Sequence, residues 1–441
     1  MQAVDTLICA AHVVPVAPRG ALADHAVAVK DGRIVALLPT SDATARFEAR
    51  EVVRLERHVL MPGLVNLHCH AAMTLMRGIA DDVPLMTWLQ RHIWPVEAKH
   101  VSDEFVHDGS MLGMAEMIRA GITCVNDMYF FPEATARAAL RMGMRVALGV
   151  IAIEFPSAYA PDAAGYLQKG LATRDAFRGE KLISFTLAPH APYTVGDEML
   201  KRMAVLAEEI DVPIHCHVHE TKDEIAQGLA KDGVRPLERL RRLGVVGPRL
   251  IAVHSVHLEE AELDLMAREG VTVAHCPSSN LKLASGVAPV AAMRKRGIRV
   301  GLGTDGAASN NRLDLFTEAR SAAFLAKAMS GDASIIPAAE ALEMVTMEPA
   351  RALGLDDRIG SIAPGKSADL VAVELSSPET LPCYDPVSHL VYAAGREHVT
   401  HSWIDGRPRL DGRKLTDIDE RDLEEKARWW QKKLGTGQTT S

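Results

Sequence analysis

The stretch Met61-Pro-Gly-Leu-Val-Asn-Leu-His-Cys-His70 decides how this chain is read. Residues from Val59 to Leu67 are apolar, broken by Pro62-Gly63, with polar side chains only at the end, a pattern that predicts a buried strand. Side chains alternate along a strand, so His68 and His70 project from one face and can close on a single metal ion. A lone His-x-His carries little weight in a chain with 18 histidines. The weight comes from what recurs downstream.

Apolar, β-branched runs follow at intervals, each ending in a polar or ionisable residue: Thr123 to Asp127, Arg145 to Ile153, Leu182 to His190, Val212 to Glu220, Leu250 to His254, Val271 to His275 and Val300 to Asp305. With the His68 strand they make eight. Between them lie segments of helical period, such as Glu104 to Ala120 and Gly196 to Glu209. Near-continuous apolar strands alternating with helices predict a parallel sheet covered on both faces. Eight such units over roughly 300 residues suit an α/β fold of the (β/α)8 TIM-barrel type, with its chemistry at the carboxyl ends of the strands. An open doubly wound sheet would more often carry a glycine-rich phosphate loop after its first strand, and the chain has none there.

The chain ends have another texture. Residues 1–58 hold short strand-like runs around Asp31-Gly32, and the same texture returns after Leu355, with a second Asp-Gly turn at Asp405-Gly406. Asp-Gly between apolar alternations is a strong hairpin signal. The expected division is a small β-sandwich domain from 1–58 and 356–415, the barrel at 59–355, and a charged helix with a loose tail over 416–441. Composition, 48% hydrophobic over 441 residues with a net charge of −8, supplies a large core and no basic face for nucleic acid. No apolar run is long enough to span a membrane, and the first twenty residues lack a basic leader and carry Asp5. Six cysteines without Cys-x-x-Cys pairs fit reduced thiols, so a cytoplasmic enzyme is expected, and at this size a homo-oligomer, dimer or tetramer.

Pro62-Gly-Leu-Val-Asn-Leu-His-Cys-His70, His217-Val-His-Glu220, His254, His275-Cys-Pro-Ser-Ser-Asn280 and Gly303-Thr-Asp-Gly-Ala-Ala-Ser-Asn310 together resemble the amidohydrolase superfamily. Within it they resemble the 5'-methylthioadenosine/S-adenosylhomocysteine deaminases, over almost the whole chain. The resemblance implies that His68, His70, His217 and Asp305 hold one divalent metal ion, zinc first and iron second. Three imidazoles and a carboxylate suit either ion, which would bring a bound water into the neutral pKa range. Two-metal relatives add a lysine at the end of the fourth strand; here that strand ends in His190. Spacing alone leaves His215, His217 and His219 open as the ligand from the fifth strand, because all three share a face. Only the resemblance selects His217.

The resemblance also implies roles. Glu220 is the expected general acid to a ring nitrogen, Asp305 the acceptor of the water proton, and His254 the histidine steadying the attacking oxygen. Glu97, in Trp88-Leu-Gln-Arg-His-Ile-Trp-Pro-Val-Glu97, is the expected anchor of two ribose hydroxyls, and His190 a second substrate contact, with Glu220 and Asp305 also facing the substrate. Met73, Met76, Leu85, Met86 and Trp88 are candidates for an apolar pocket, although methionine at such spacing also suits a core. Asn280, Lys282, Ser309 and Asn310 read as loop-orienting or capping residues, His215 and His219 as core or loop histidines, and Cys69 and Cys216 as packing residues. The implied reaction is hydrolytic deamination of 5'-methylthioadenosine, S-adenosylhomocysteine or adenosine to the inosine analogue and ammonia. Two alternatives stay open on the sequence: a hydrolase of a free base such as guanine or cytosine, or of a triazine, and a barrel that has become a non-catalytic assembly protein.

Overall fold

The structure is a computed structural model that describes residues Met1–Gly435. The rest of the expected tail, 436–441, lies outside the described residues. Packing divides the chain into two compact units, one of Met1–Asn66, Met117–Cys124 and Asp314–Asp417, the other of Leu67–Glu116, Val125–Leu313 and the residues from Ile418 onward.

Four strands open the chain: β1 (Gln2–Val13), β2 (Leu22–Lys30), β3 (Arg33–Pro39) and β4 (Phe47–Pro62). Eight more follow: β5 (Leu64–Cys69), β6 (Ile122–Asp127), β7 (Arg145–Ala152), β8 (Ile183–Pro189), β9 (Ile214–Val218), β10 (Leu250–His254), β11 (Thr272–His275) and β12 (Arg299–Leu302). The last four are β13 (Leu370–Glu374), β14 (Val399–Ile404), β15 (Arg407–Asp411) and β16 (Lys414–Leu415).

Strands from both chain ends form one mixed sheet in the order β16-β15-β14-β13-β4-β1-β2-β3. Alternation explains its two apolar faces. Leu7 and Cys9 pack with Ala26, Ala28 and Phe47, while their neighbours Ile8 and Ala10 pack with Val27, Leu60 and Trp403. Both Asp-Gly signals become tight turns, between β2 and β3 and between β14 and β15. Asp31, Gly32, Asp405 and Gly406 all have φ between +51° and +77°, as a two-residue type I' turn requires.

Strands β5 to β12 form the second sheet in strict chain order, and its registered pairs are parallel. Every residue of β5, β6, β7, β9, β10 and β11 is buried, which is why these strands read as unbroken apolar runs. The sheet comes back on itself where the Asp305 N–H donates to the His68 carbonyl at 3.0 Å. Gly303 permits that approach, since a Cβ there would stand 2.8 Å from the backbone nitrogen of His68. The result is the barrel expected from the sequence. Helices intervene as anticipated, for example Asp103–Arg119 and Asp197–Glu209. The charged C-terminal helix runs Glu420–Gly435 and buries Trp430 against Phe105. Among the described residues, no helix is long and apolar enough to cross a membrane.

Candidate active site

The polar strand ends converge. His68, at the end of β5, is fully buried and directs Nε2 toward Asp305 Oδ1 at 3.3 Å; His70 Nε2 faces the same oxygen at 3.3 Å. Ligand atoms of His68, His70 and Asp305 lie within 4.8 Å of one another, as do those of His68, His217 and His254. The four residues expected to hold a metal therefore stand together, with His254 joining them as a fifth neighbour. His215 does not join the cluster at its open face. It sits two residues deeper in β9, its Nε2 2.8 Å from His68 Nδ1. His219 falls beyond the strand, at φ +54°, and its Nε2 accepts from the Leu237 N–H at 3.1 Å. Depth and a backbone turn thus separate three histidines that spacing could not.

The donors are oriented from behind. His70 Nδ1 donates to the Met128 carbonyl at 2.5 Å, and His217 Nδ1 to the His190 carbonyl at 2.7 Å. Both rings then present an unprotonated Nε2 to the cluster. The His68 Nε2 atom is buried with no hydrogen-bond partner, an arrangement that costs about 1–3 kcal/mol unless something fills the gap. Three imidazole nitrogens and a carboxylate around an unsatisfied buried nitrogen fit a divalent cation of the zinc or iron type.

Asp305 is held by hydroxyls: Ser279 Oγ donates to Oδ2 at 2.6 Å and Ser309 Oγ at 2.9 Å, and the Gly306 N–H donates to Oδ1. Burial alone would raise its pKa, but the surrounding imidazoles of His68, His70 and His254 outweigh it and keep the carboxyl well below the usual range. His254 Nδ1 donates to Asn280 Oδ1 at 2.8 Å, leaving Nε2 3.7 Å from Glu220 Oε2. Burial raises the Glu220 carboxyl above its ordinary value, so it can carry a proton close to the cluster. Glu224 accepts the backbone N–H groups of both His219 and Glu220 at 2.8 Å and so fixes the turn that presents Glu220.

A cleft of about 760 Å³, open mouth included, rises over the cluster. His70, His190, His217, Glu220, His254 and Asp305 line its floor, and Glu97 stands on its wall. Glu97 Oε1 accepts from the Tyr129 hydroxyl at 2.6 Å. Burial pushes its pKa up to about 7 in spite of that bond. His190 is driven down to about 3 by burial first and by its histidine neighbours second, so its ring is neutral; Nδ1 lies 3.0 Å from Thr194 Oγ1. Met73, Leu85 and Trp88 do line the cleft. Met76 is instead fully buried core, and Met86 is not part of the lining. Most of the apolar wall comes from residues the sequence did not single out: Ile93, Trp94, Met128, Tyr129, Phe130, Ile153 and Phe155. Tyr129 and Phe130 had a usable signal, aromatics directly following a buried strand that ends in Asp127. The supposed capping residues also do more than cap: Asn280 orients His254, Ser309 holds Asp305, and Lys282 pairs with Asp81 at 2.5 Å.

A TIM barrel whose strand ends bring histidines, an aspartate and an acid to a metal-ready floor defines a hydrolase class, and residues 59–409 match the Amidohydrolase family. The chain belongs to that family, whose members depend on metal. It is 45% identical over 431 residues to a 5-methylthioadenosine/S-adenosylhomocysteine deaminase of Saccharophagus degradans, covering 98% of this chain and 97% of that one. A protein of the same name from Teredinibacter turnerae is 44% identical, with 98% of each chain covered. Among solved structures, an adenosine deaminase from Xanthomonas campestris with bound zinc superposes with a TM-score of 0.97 at 51% identity, covering 99% of both chains. An Escherichia coli guanine deaminase, at 23% identity and a TM-score of 0.83 over 92% of this chain and 99% of that one, shares the fold.

Proposed function

We propose that this protein is a metal-dependent hydrolytic deaminase of adenine nucleosides, converting 5'-methylthioadenosine, S-adenosylhomocysteine or adenosine to the inosine analogue and ammonia. The observation that carries the reading is Glu97 on the wall of an otherwise apolar cleft, above a floor where Glu220, His254 and Asp305 meet the histidine cluster. The names of the similar proteins agree with it.

His68, His70, His217 and Asp305 would hold the ion, one per chain, and zinc is the proposed metal because a similar structure binds it. Among the described residues, no lysine lines the cleft to bridge a second ion. When bound, such an ion lowers the pKa of a water at the site into the neutral range. The chain's own groups do the rest. Asp305 accepts the proton of the attacking water, which His254 Nε2 orients toward purine C6. Glu220, whose carboxyl burial raises above its ordinary value, delivers a proton to ring N1 as the oxygen attacks C6. Asp305 then returns its proton to the leaving amine, the C6–N bond breaks and ammonia departs, while the remaining proton on the C6 hydroxyl passes to Glu220, which leaves the carbonyl and restores the acid. Glu97 accepts from the two ribose hydroxyls, His190 donates or accepts as a neutral imidazole, and the apolar wall receives the 5' substituent. We further propose a cytoplasmic homo-oligomer, dimer or tetramer, that engages neither nucleic acid nor membrane.

The test is ammonia release by zinc-loaded protein with methylthioadenosine, S-adenosylhomocysteine, adenosine, adenine, guanine and cytosine. Turnover confined to nucleosides is expected. Turnover of a free base alone, or of none, would overturn the substrate assignment.

A further inference from the structure

The three imidazoles proposed to hold the metal, His68, His70 and His217, are not held alike. His70 and His217 give their Nδ1 protons to backbone carbonyls, at Met128 and His190. A carbonyl can only accept, so it dictates the tautomer by itself, and no side-chain substitution removes it. His68 is different. Its Nδ1 faces another imidazole, His215 Nε2, at 2.8 Å, with the two rings edge to face. Both rings are fully buried.

A pair of imidazoles shares one proton along such a contact, and in principle either ring donates. The remaining nitrogens decide. His68 Nε2 is the atom turned toward Asp305 and the other donors, so it must offer a lone pair and the proton must sit on Nδ1. His215 Nε2 is then the acceptor, and the His215 proton is left on Nδ1, a buried atom without a hydrogen-bond partner. Leaving a buried N–H unsatisfied is unfavourable, so the arrangement needs a return elsewhere. Orienting His68 supplies it.

We propose that His215 is a positioning residue that accepts the His68 Nδ1 proton and thereby fixes His68 as a metal ligand. It is the one side chain, among the described residues, that performs for a ligand imidazole what the backbone performs for the other two. The inference rests on the metal reading of the site and adds to it a role for a histidine that the proposed chemistry does not touch.

Zinc affinity is measured by chelator competition for wild type, H215L and H215Q, with fold checked by circular dichroism. Glutamine can place Oε1 near the position of imidazole Nε2, whereas leucine removes the acceptor. The expected result is a loss of about 10- to 100-fold in zinc affinity for H215L, with H215Q within about threefold of wild type because an amide oxygen accepts the same proton. H215L binding zinc as tightly as wild type would overturn the proposal, as would H215Q binding as weakly as H215L, which would point to packing. A second readout needs no variant to fold well: nitrogen-15 spectra of histidine-labelled, zinc-loaded wild type should show His215 as the Nδ1–H tautomer, and the Nε2–H tautomer would refute the role. Wild type that takes up no zinc would bring down the metal reading and this inference with it, whereas tight wild-type binding with an indifferent H215L removes the inference alone.

Discussion

At the scale of a residue, the role proposed for Glu97 makes nucleoside recognition depend on ionisation. Its carboxyl is pushed up to about 7 by burial, against the opposing hydrogen bond from Tyr129. A carboxylate accepts from both ribose hydroxyls, whereas the protonated acid has one oxygen committed as a donor. The sign follows: with the pKa raised, the accepting form is present above about pH 7 and is lost as pH falls below it. KM for nucleosides should therefore rise on acidification, and E97Q should flatten that dependence while raising KM by about 10- to 100-fold, the worth of a charge-assisted hydrogen bond. Profiles of kcat/KM against pH for the two proteins check it; parallel profiles would refute it. Glu220 carries a different burden. In its proposed role Glu220 is the proton donor that E220Q removes, so kcat should fall about 10²- to 10⁴-fold with zinc content unchanged, and full turnover by E220Q would dismiss the acid role.

At the scale of an element, the strand ends and the last helix matter most. His254 and Asp305 lie at φ +67° and +60°, in the left-handed region that non-glycine residues adopt at a cost of about 1–3 kcal/mol each. Side-chain bonds from Asn280, Ser279 and Ser309 hold them there. The C-terminal helix is anchored by Asp108, which accepts from Lys426 Nζ at 3.0 Å and Trp430 Nε1 at 3.1 Å. Burial works against ionising Asp108, but the bonds from His107, Lys426 and Trp430 together overcome it and lower its pKa to about 2. A depressed carboxyl stabilises the fold above its unfolded value and loses that contribution as pH falls through the folded one. D108N should thus melt below wild type at pH 7, and the gap should close between about pH 4 and pH 2. A gap that persists at pH 2 would mean that packing of Trp430, not the charge, anchors the helix.

At the scale of the molecule, the proposed metal site would link metal binding to folding. The proposed donors, His70 half-buried and the others buried, are assembled from the end of β5 and the residue after it, from β9 and from the turn after β12, so the unfolded chain has no comparable site. An ion that binds only the native state stabilises it by about 4 kcal/mol at a thousandfold excess over Kd. Chelation should abolish ammonia release and lower Tm, and zinc should restore both. A Tm indifferent to zinc would argue that the floor stands without it.

What the sequence determined by itself was local. Burial on both faces makes a barrel strand uniformly apolar, so the eight strands and their polar ends were legible, as were the Asp-Gly hairpins, whose positive φ values are a property of two residues. Strand order around the barrel followed because parallel neighbours joined by helices tend to be consecutive. The tertiary structure decided distances. Periodicity gives the direction of a side chain and not its depth, so only the fold could set His217 at the floor, bury His215 behind His68, and turn His219 away. Partners far apart in the chain were equally hidden: Tyr129 on Glu97, Asn280 on His254, and Ser279 on Asp305. Each is an ordinary residue of a loop or short helix until the barrel closes, because a hydrogen bond depends on ångströms that no local pattern encodes.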